Sequence, residues 1–147
     1  MSTPIVTLIG QPNVGKSSLF NLIVGKKAAI ISAQSGVTRD RQFAMVNASD
    51  HNFWLVDTAG LADEDDKLSS AMYEQSRTAA SQASLVLLIV DGSKTCHQND
   101  VSLARYIQKS KTPVMLVVNK EDITDPETLH TYKRMGISQT IQISCKT

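Results

Sequence analysis

Eight consecutive residues, Gly10-Gln11-Pro12-Asn13-Val14-Gly15-Lys16-Ser17, have the types and spacing needed to cradle a chain of phosphates. They satisfy the pattern GxxxxGKS between an apolar run and a segment with helical spacing, the strand–loop–helix setting that the pattern requires. Glycines let backbone N–H groups turn inward around phosphate oxygens, and the following helix N-terminus adds a favourable dipole. Lys16 would reach the β- and γ-phosphates, and the Ser17 hydroxyl would coordinate Mg²⁺. Phosphate binding alone leaves the base open. Asn119-Lys120-Glu121-Asp122 stands directly after the apolar run Val114–Val118 and addresses that question. A carboxylate such as Asp122 can accept two hydrogen bonds, from guanine N1–H and the 2-amino group. Adenine cannot donate them, and a carboxylate left unpaired would be costly, so the motif disfavours an adenine nucleotide. Asn119 would tie this loop to the phosphate loop and the base, with the Lys120 stem lying over the purine face.

Three further segments fit around such a nucleotide. Asp57-Thr58-Ala59-Gly60 ends the run Phe53–Val56. An aspartate there can hold Mg²⁺ through water, and the Gly60 N–H can bond a γ-phosphate with no Cβ in the way. Gly36-Val37-Thr38-Arg39-Asp40 is polar and loop-like; Thr38 would supply a second hydroxyl to Mg²⁺, closing its loop only when a γ-phosphate is present. Ser144-Cys145-Lys146 follows Gln139–Ile143 and could offer the Cys145 backbone N–H to guanine O6. The histidines His51, His97 and His130 show no ligand spacing and read as exposed and non-catalytic. The acidic run Asp63-Glu64-Asp65-Asp66 reads as a solvated loop.

The elements that must position these residues are legible in the apolar pattern. Ile5–Ile9, Phe53–Val56, Leu85–Val90 and Val114–Val118 are short runs rich in Val, Ile and Leu, which predicts strands buried on both faces of a parallel sheet. Phe43–Ala48 and Asn52–Val56, separated by Ser49-Asp50-His51, predict a hairpin that adds one antiparallel strand. Leu19, Leu22 and Ile23 mark a helix after the phosphate loop. Leu68, Met72, Gln75, Ala79 and Ala83 mark a second, and Leu103 with Ile107 a third. Asp125-Pro126-Glu127 predicts a helix start, with a capping carboxylate and proline at the first helical position. Strands alternating with helices predict a layered α/β fold with helices on both faces of a mostly parallel sheet. Trp54 and Phe53 read as core.

Composition supports one ordered domain. The chain has 147 residues, 41% hydrophobic and 20% charged, which excludes intrinsic disorder. A formal charge of +1 argues against binding of nucleic acid driven mainly by phosphate neutralisation, though not against RNA met through a small patch. Cys96 and Cys145 are too few for a disulfide framework and suit reduced thiols. No apolar run approaches the ~20 residues of a membrane-spanning helix, and a cytoplasmic protein with no membrane partner is expected.

Taken in order, the five nucleotide segments resemble the translation-factor class of P-loop GTPases. Gly10-Gln11-Pro12-Asn13-Val14-Gly15-Lys16-Ser17-Ser18-Leu19-Phe20-Asn21 and Gly36-Val37-Thr38-Arg39-Asp40-Arg41 look like the first GTPase domain of the bacterial tandem Der (EngA) family, and Met72-Tyr73-Glu74-Gln75-Ser76 and Met135-Gly136-Ile137 add to the likeness. The Era and MnmE GTPases have similar phosphate loops, and an Era- or MnmE-like GTPase acting on other RNA is the alternative that the resemblance leaves. The resemblance implies a three-layer P-loop NTPase fold, GTP/GDP and Mg²⁺ as ligands, and a nucleotide-binding role for Gly10 to Ser18, Asp57 to Gly60, Asn119, Lys120, Asp122 and Ser144 to Lys146. It implies a switch in large-ribosomal-subunit assembly, with the large subunit or its rRNA as partner. That family usually has Gly where Ala59 stands. Its members carry a second GTPase domain and a KH-like domain, and each GTPase domain ends in a further helix. Residues 1–147 are therefore expected to be a single GTP-binding domain, part of a longer chain, lacking that final helix. Ras-like GTPases place a glutamine where this chain has Leu61, which cannot orient a water. Resembling GTPases use K⁺ instead, held partly by the asparagine at the position of Asn13. The catalytic set expected on this basis is Lys16, Thr38, Gly60 and Asn13, and the metal ligands Ser17, Thr38 and Asp57. The other reading that Leu61 leaves open is a GTP-binding regulatory module with little hydrolysis.

Overall fold

A computed structural model describes residues 3–11, 14–31, 42–48, 51–57 and 70–144. The chain runs β1 (Ile5–Gly10), α1 (Lys16–Lys27), β2 (Ala28–Ile31), β3 (Gln42–Ala48), β4 (His51–Asp57), α2 (Ser70–Gln82), β5 (Leu85–Asp91), α3 (Gln98–Gln108), β6 (Val114–Asn119), α4 (Pro126–Lys133) and β7 (Gln139–Gln142). The strands form one sheet in the order β2-β3-β4-β1-β5-β6-β7. β3 is antiparallel to both β2 and β4, and the remaining neighbours are parallel, so a single strand runs against the rest. This is the expected mixed α/β sheet with one addition. Ala28–Ile31 forms an edge strand that the apolar pattern does not reveal, because four residues directly following a helix have no distinguishable period. The hairpin is tighter than expected: His51 pairs with Ala48, leaving only positions 49 and 50 between the strands.

Both faces of the sheet are covered, which explains why its central strands read as unbroken apolar runs. Val86, Leu88 and Val90 of β5, with Leu116 and Val118 of β6, pack against Ala79 and Ala80 of α2, Leu103, Ala104 and Ile107 of α3 and Tyr132 of α4. The alternate residues Ile89 and Val117 turn to the other face, where they meet Leu19, Phe20 and Val24 of α1 together with Leu8 and Leu55. Phe53 packs against that cluster half-buried, and Trp54 is likewise half-buried rather than enclosed. On this second face Val6 and Leu87 also remain half-buried, and Leu22 of α1 is exposed outside the cluster. α4 begins as the sequence predicts, with the Asp125 carboxylate accepting the Thr128 N–H at 2.7 Å and Pro126 at its start. α3 begins on an unexpected residue. His97 Nδ1 accepts the Asn99 N–H at 2.9 Å, and Asp100 Oδ2 accepts the His97 N–H at 3.0 Å. No helix of the described residues is long and apolar enough to cross a membrane.

Each of the four central strands continues past its apolar run by one residue, and those terminal residues are Gly10, Asp57, Asp91 and Asn119. The strands are parallel, so the four lie along one edge of the sheet, with Leu8 beside Asp57 and Asp91 beside Asn119. Ligands of open α/β sheets bind at the carboxyl ends of the strands, where the chain order switches direction. Here the switch falls at β1, between β4 on one side and β5 on the other.

Candidate functional site

β1 ends in the phosphate-loop sequence and α1 starts at Lys16, so the loop leads directly into a helix N-terminus. Gly15 has φ +104°, a conformation that side chains rarely adopt, and a Cβ there would collide with the Asn119 amide. Lys16 is buried, and its ammonium donates to the Gly10 carbonyl at 2.7 Å and the Gln11 carbonyl at 3.0 Å. Burial lowers the Lys16 ammonium from 10.5 to about 8, with the nearby Asp57 carboxylate pulling the other way. Ser17, at the start of α1, turns its hydroxyl to Asp57 Oδ2 at 3.4 Å. The helix start and the end of β4 thus present two hard oxygen donors together, the chemistry that Mg²⁺ prefers. Among the described residues no group of three or more His, Cys, Asp or Glu could hold a metal by itself. A divalent ion here would have to complete its shell from water and phosphate oxygens, as Mg²⁺ on a nucleotide does.

The side chain of Asn119 joins the base-side loop to the phosphate loop. Asn119, 3% exposed, donates from Nδ2 to the Val14 carbonyl at 3.0 Å and accepts the Lys120 N–H on Oδ1 at 2.8 Å. The backbone of Lys120 is left-handed at φ 69°, and its carbonyl accepts the Thr124 hydroxyl at 2.7 Å. Asp122 is exposed, and its Oδ1 accepts the Ser144 hydroxyl at 3.2 Å, which brings the two base-side segments together. Ser18 faces solvent on α1. Pro12, Asn13, Thr38, Thr58, Ala59, Gly60, Leu61, Cys145 and Lys146 lie outside the described residues.

Sequence reading missed the supports beneath this loop. Asp91 accepts the Ser93 N–H and hydroxyl on Oδ1 at 2.9 and 2.6 Å, and its Oδ2 meets the Lys120 ammonium at 3.1 Å. Burial alone would raise the Asp91 carboxyl, but the bonds from Ser93 and Lys120 outweigh it and hold the group below its ordinary value. The Asp91 carbonyl accepts the buried Tyr132 hydroxyl at 2.7 Å, and burial raises that phenol. Gly92 donates to the Asn119 carbonyl at 2.8 Å, at a point where a Cβ would strike Thr124 and the Asn119 backbone. Asp91 ends an apolar strand, a position from which its involvement could have been read. The three histidines are all exposed, as expected, although His97 has a structural task. Cys96 is a free, half-buried thiol raised to about 11, first by burial and then by Asp100, which makes it a poor nucleophile.

The chain is 38% identical over 146 residues to the GTPase Der of Desulforudis audaxviator, and 40% identical over 147 residues to that of Heliobacterium modesticaldum. Both matches cover 98% of this chain and 33% of the relative, so the chain spans about a third of the length of these curated relatives. Among solved structures, Aquifex aeolicus Era bound to GDP.AlF4- is 28% identical, with a TM-score of 0.72 over 99% of this chain and 52% of that one. The G domain of the T. maritima FeoB iron transporter is 25% identical, with a TM-score of 0.68 over 98% of this chain and 89% of its own. Residues 5–120, from the first residue of β1 to the lysine that follows β6, match the family described as 50S ribosome-binding GTPase, and the chain belongs to that family.

Proposed function

We propose that this domain binds GTP with Mg²⁺, hydrolyses it with help from K⁺, and serves as a cytoplasmic switch in assembly of the large ribosomal subunit. The observation that carries the reading is the 3.0 Å bond from Asn119 to the Val14 carbonyl. It joins a base-recognition motif to a phosphate loop, and a nucleotide is the ligand that needs both at a fixed separation. Lys16 gives up the Gly10 and Gln11 carbonyls for the β- and γ-phosphates. Ser17 and Asp57, with Thr38, would hold Mg²⁺, which would neutralise charge on the phosphate oxygens. Gly60 fixes the γ-phosphate, Asp122 reads guanine, and the Cys145 N–H meets the guanine O6. Asn13 would help to hold K⁺, whose charge would favour attack by water, a task worth on the order of 10³–10⁵ in rate when an arginine finger performs it. The large-subunit role follows the family to which the chain belongs and the kinship with GTPase Der.

Leu61 favours a second reading, a GTP-binding module with little turnover, because leucine cannot orient the attacking water. Multiple-turnover phosphate release in KCl and in NaCl at equal ionic strength separates the two. Release that is faster in KCl, and loses that advantage in Asn13→Ala with nucleotide binding retained, supports the K⁺-assisted GTPase. Binding without release in either salt supports the module.

A further inference from the structure

The phosphate loop has a second anchor, on α3. Gln11 is the residue after β1, and its side-chain Nε2 donates to Asp100 Oδ1 at 2.6 Å across 89 positions of sequence. Asp100 is 4% exposed, and its other oxygen accepts the His97 N–H at 3.0 Å. That second bond already completes the cap of α3, so the bond to Gln11 is not needed to start the helix. α3 itself is seated on the sheet by the fully buried Leu103 and Ile107. The carboxylate is therefore a fixed acceptor on a rigid element, aimed at the first residue of the loop.

We propose that Asp100 is a positioning residue for nucleotide retention: through Gln11 it tethers the start of the phosphate loop to the N-terminus of α3, so that this helix helps to set the rate of nucleotide release. The proposal rests on the nucleotide-binding reading above. In the free protein Gln11 is held at both ends, by Lys16 at its carbonyl and by Asp100 at its side chain. Once phosphates draw Lys16 away, the Asp100 bond still fixes where the loop leaves β1. Any load that moves the N-terminus of α3 then moves the loop.

The test is release of a fluorescent GDP analogue from wild type and four variants. Gln11→Met keeps the length of the side chain but cannot donate, and release should accelerate about ten-fold, the scale of one hydrogen bond to a charged group. Gln11→Glu sets carboxylate against carboxylate and should release faster still. Adding Asp100→Asn to Gln11→Glu restores a donor–acceptor pair with its roles exchanged, and should slow release back toward wild type. His97→Ala removes the helix-capping imidazole while leaving the Gln11–Asp100 bond, so it should lower the melting temperature and speed release less than Gln11→Met does; an acceleration equal to that of Gln11→Met would assign the effect to helix stability and overturn the tether. Release from Gln11→Met at the wild-type rate, or no slowing when Asp100→Asn joins Gln11→Glu, overturns the tether alone. A wild type that does not bind the analogue overturns the nucleotide-binding reading and the tether with it.

Discussion

Replacing Asn119 with alanine should destabilise the protein even when no nucleotide is present. The side chain is 3% exposed, and in the free protein it donates to the Val14 carbonyl at 3.0 Å and accepts the Lys120 N–H at 2.8 Å. Truncation leaves both backbone groups without that partner, and a buried polar group so stranded costs about 1–3 kcal/mol. Both loops lie near the surface, where water recovers part of the loss, so the net expectation is about 2–4 kcal/mol. Against a total stability of about 5–15 kcal/mol for a domain of this kind, that is a large share. At roughly 2–4 °C per kcal/mol for a chain of this size, the melting temperature should fall by roughly 5–15 °C. The measurement is urea unfolding of wild type and Asn119→Ala in EDTA, without nucleotide, followed by GDP titration of each. An unfolding free energy within about 0.5 kcal/mol of wild type, with GDP affinity reduced, would refute the reasoning; Asn119 would then act on the base alone.

Asp122→Asn should weaken GTP binding by about 1.5–3 kcal/mol and favour xanthine nucleotides, since the new amide can donate where the carboxylate would repel; competition between GTP and XTP reads this, and unchanged GTP affinity would remove Asp122 from the base site. Lys16 makes the free protein's stability depend on pH. Its folded value of about 8 lies below the ordinary 10.5, so between those values the unfolded chain binds more protons and stability rises with pH. The penalty is fully present below pH 8 and worth up to about 3 kcal/mol, so the difference in unfolding free energy between wild type and Lys16→Met in EDTA should shift by that order from pH 7 to pH 10; a flat difference would count against it. Gly92→Ala, which drives a Cβ into Thr124 and the Asn119 carbonyl, should cost about 1–3 kcal/mol by overpacking, read as a lower melting temperature.

The residues proposed to carry the chemistry were legible because each sits in a short contiguous pattern whose spacing reflects local geometry: one pattern runs from the end of β1 to the start of α1, and the other begins at the end of β6. Strands buried on both faces announce themselves as apolar runs, so the order of the layers followed. What escaped was long-range or unconventional. Asp91 meets Lys120 and Tyr132 across 29 and 41 positions, and Gln11 meets Asp100 across 89, separations at which no local period operates. His97 escaped because helix starts are sought at Ser, Thr, Asp and Asn, whereas here an imidazole nitrogen takes the acceptor's place. The extent of β4 was read one residue short at its start because His51 is polar, yet its backbone continues the ladder opposite Ala48.

The clamp between Asn119 and Val14 also imposes an order on the protein's birth. The two residues are 105 positions apart, so the phosphate loop leaves the translating ribosome long before the side chain that braces it has been made. At about 5–20 residues per second, the interval is roughly 5–20 s. Throughout it the nascent chain carries a complete phosphate motif with neither brace nor base pocket, and cellular GTP can lend it little stability. A series of stalled nascent chains should acquire GDP binding only once residue 119 and the rest of its loop have cleared the exit tunnel, and binding by shorter members would show that the loop is preorganised without its clamp.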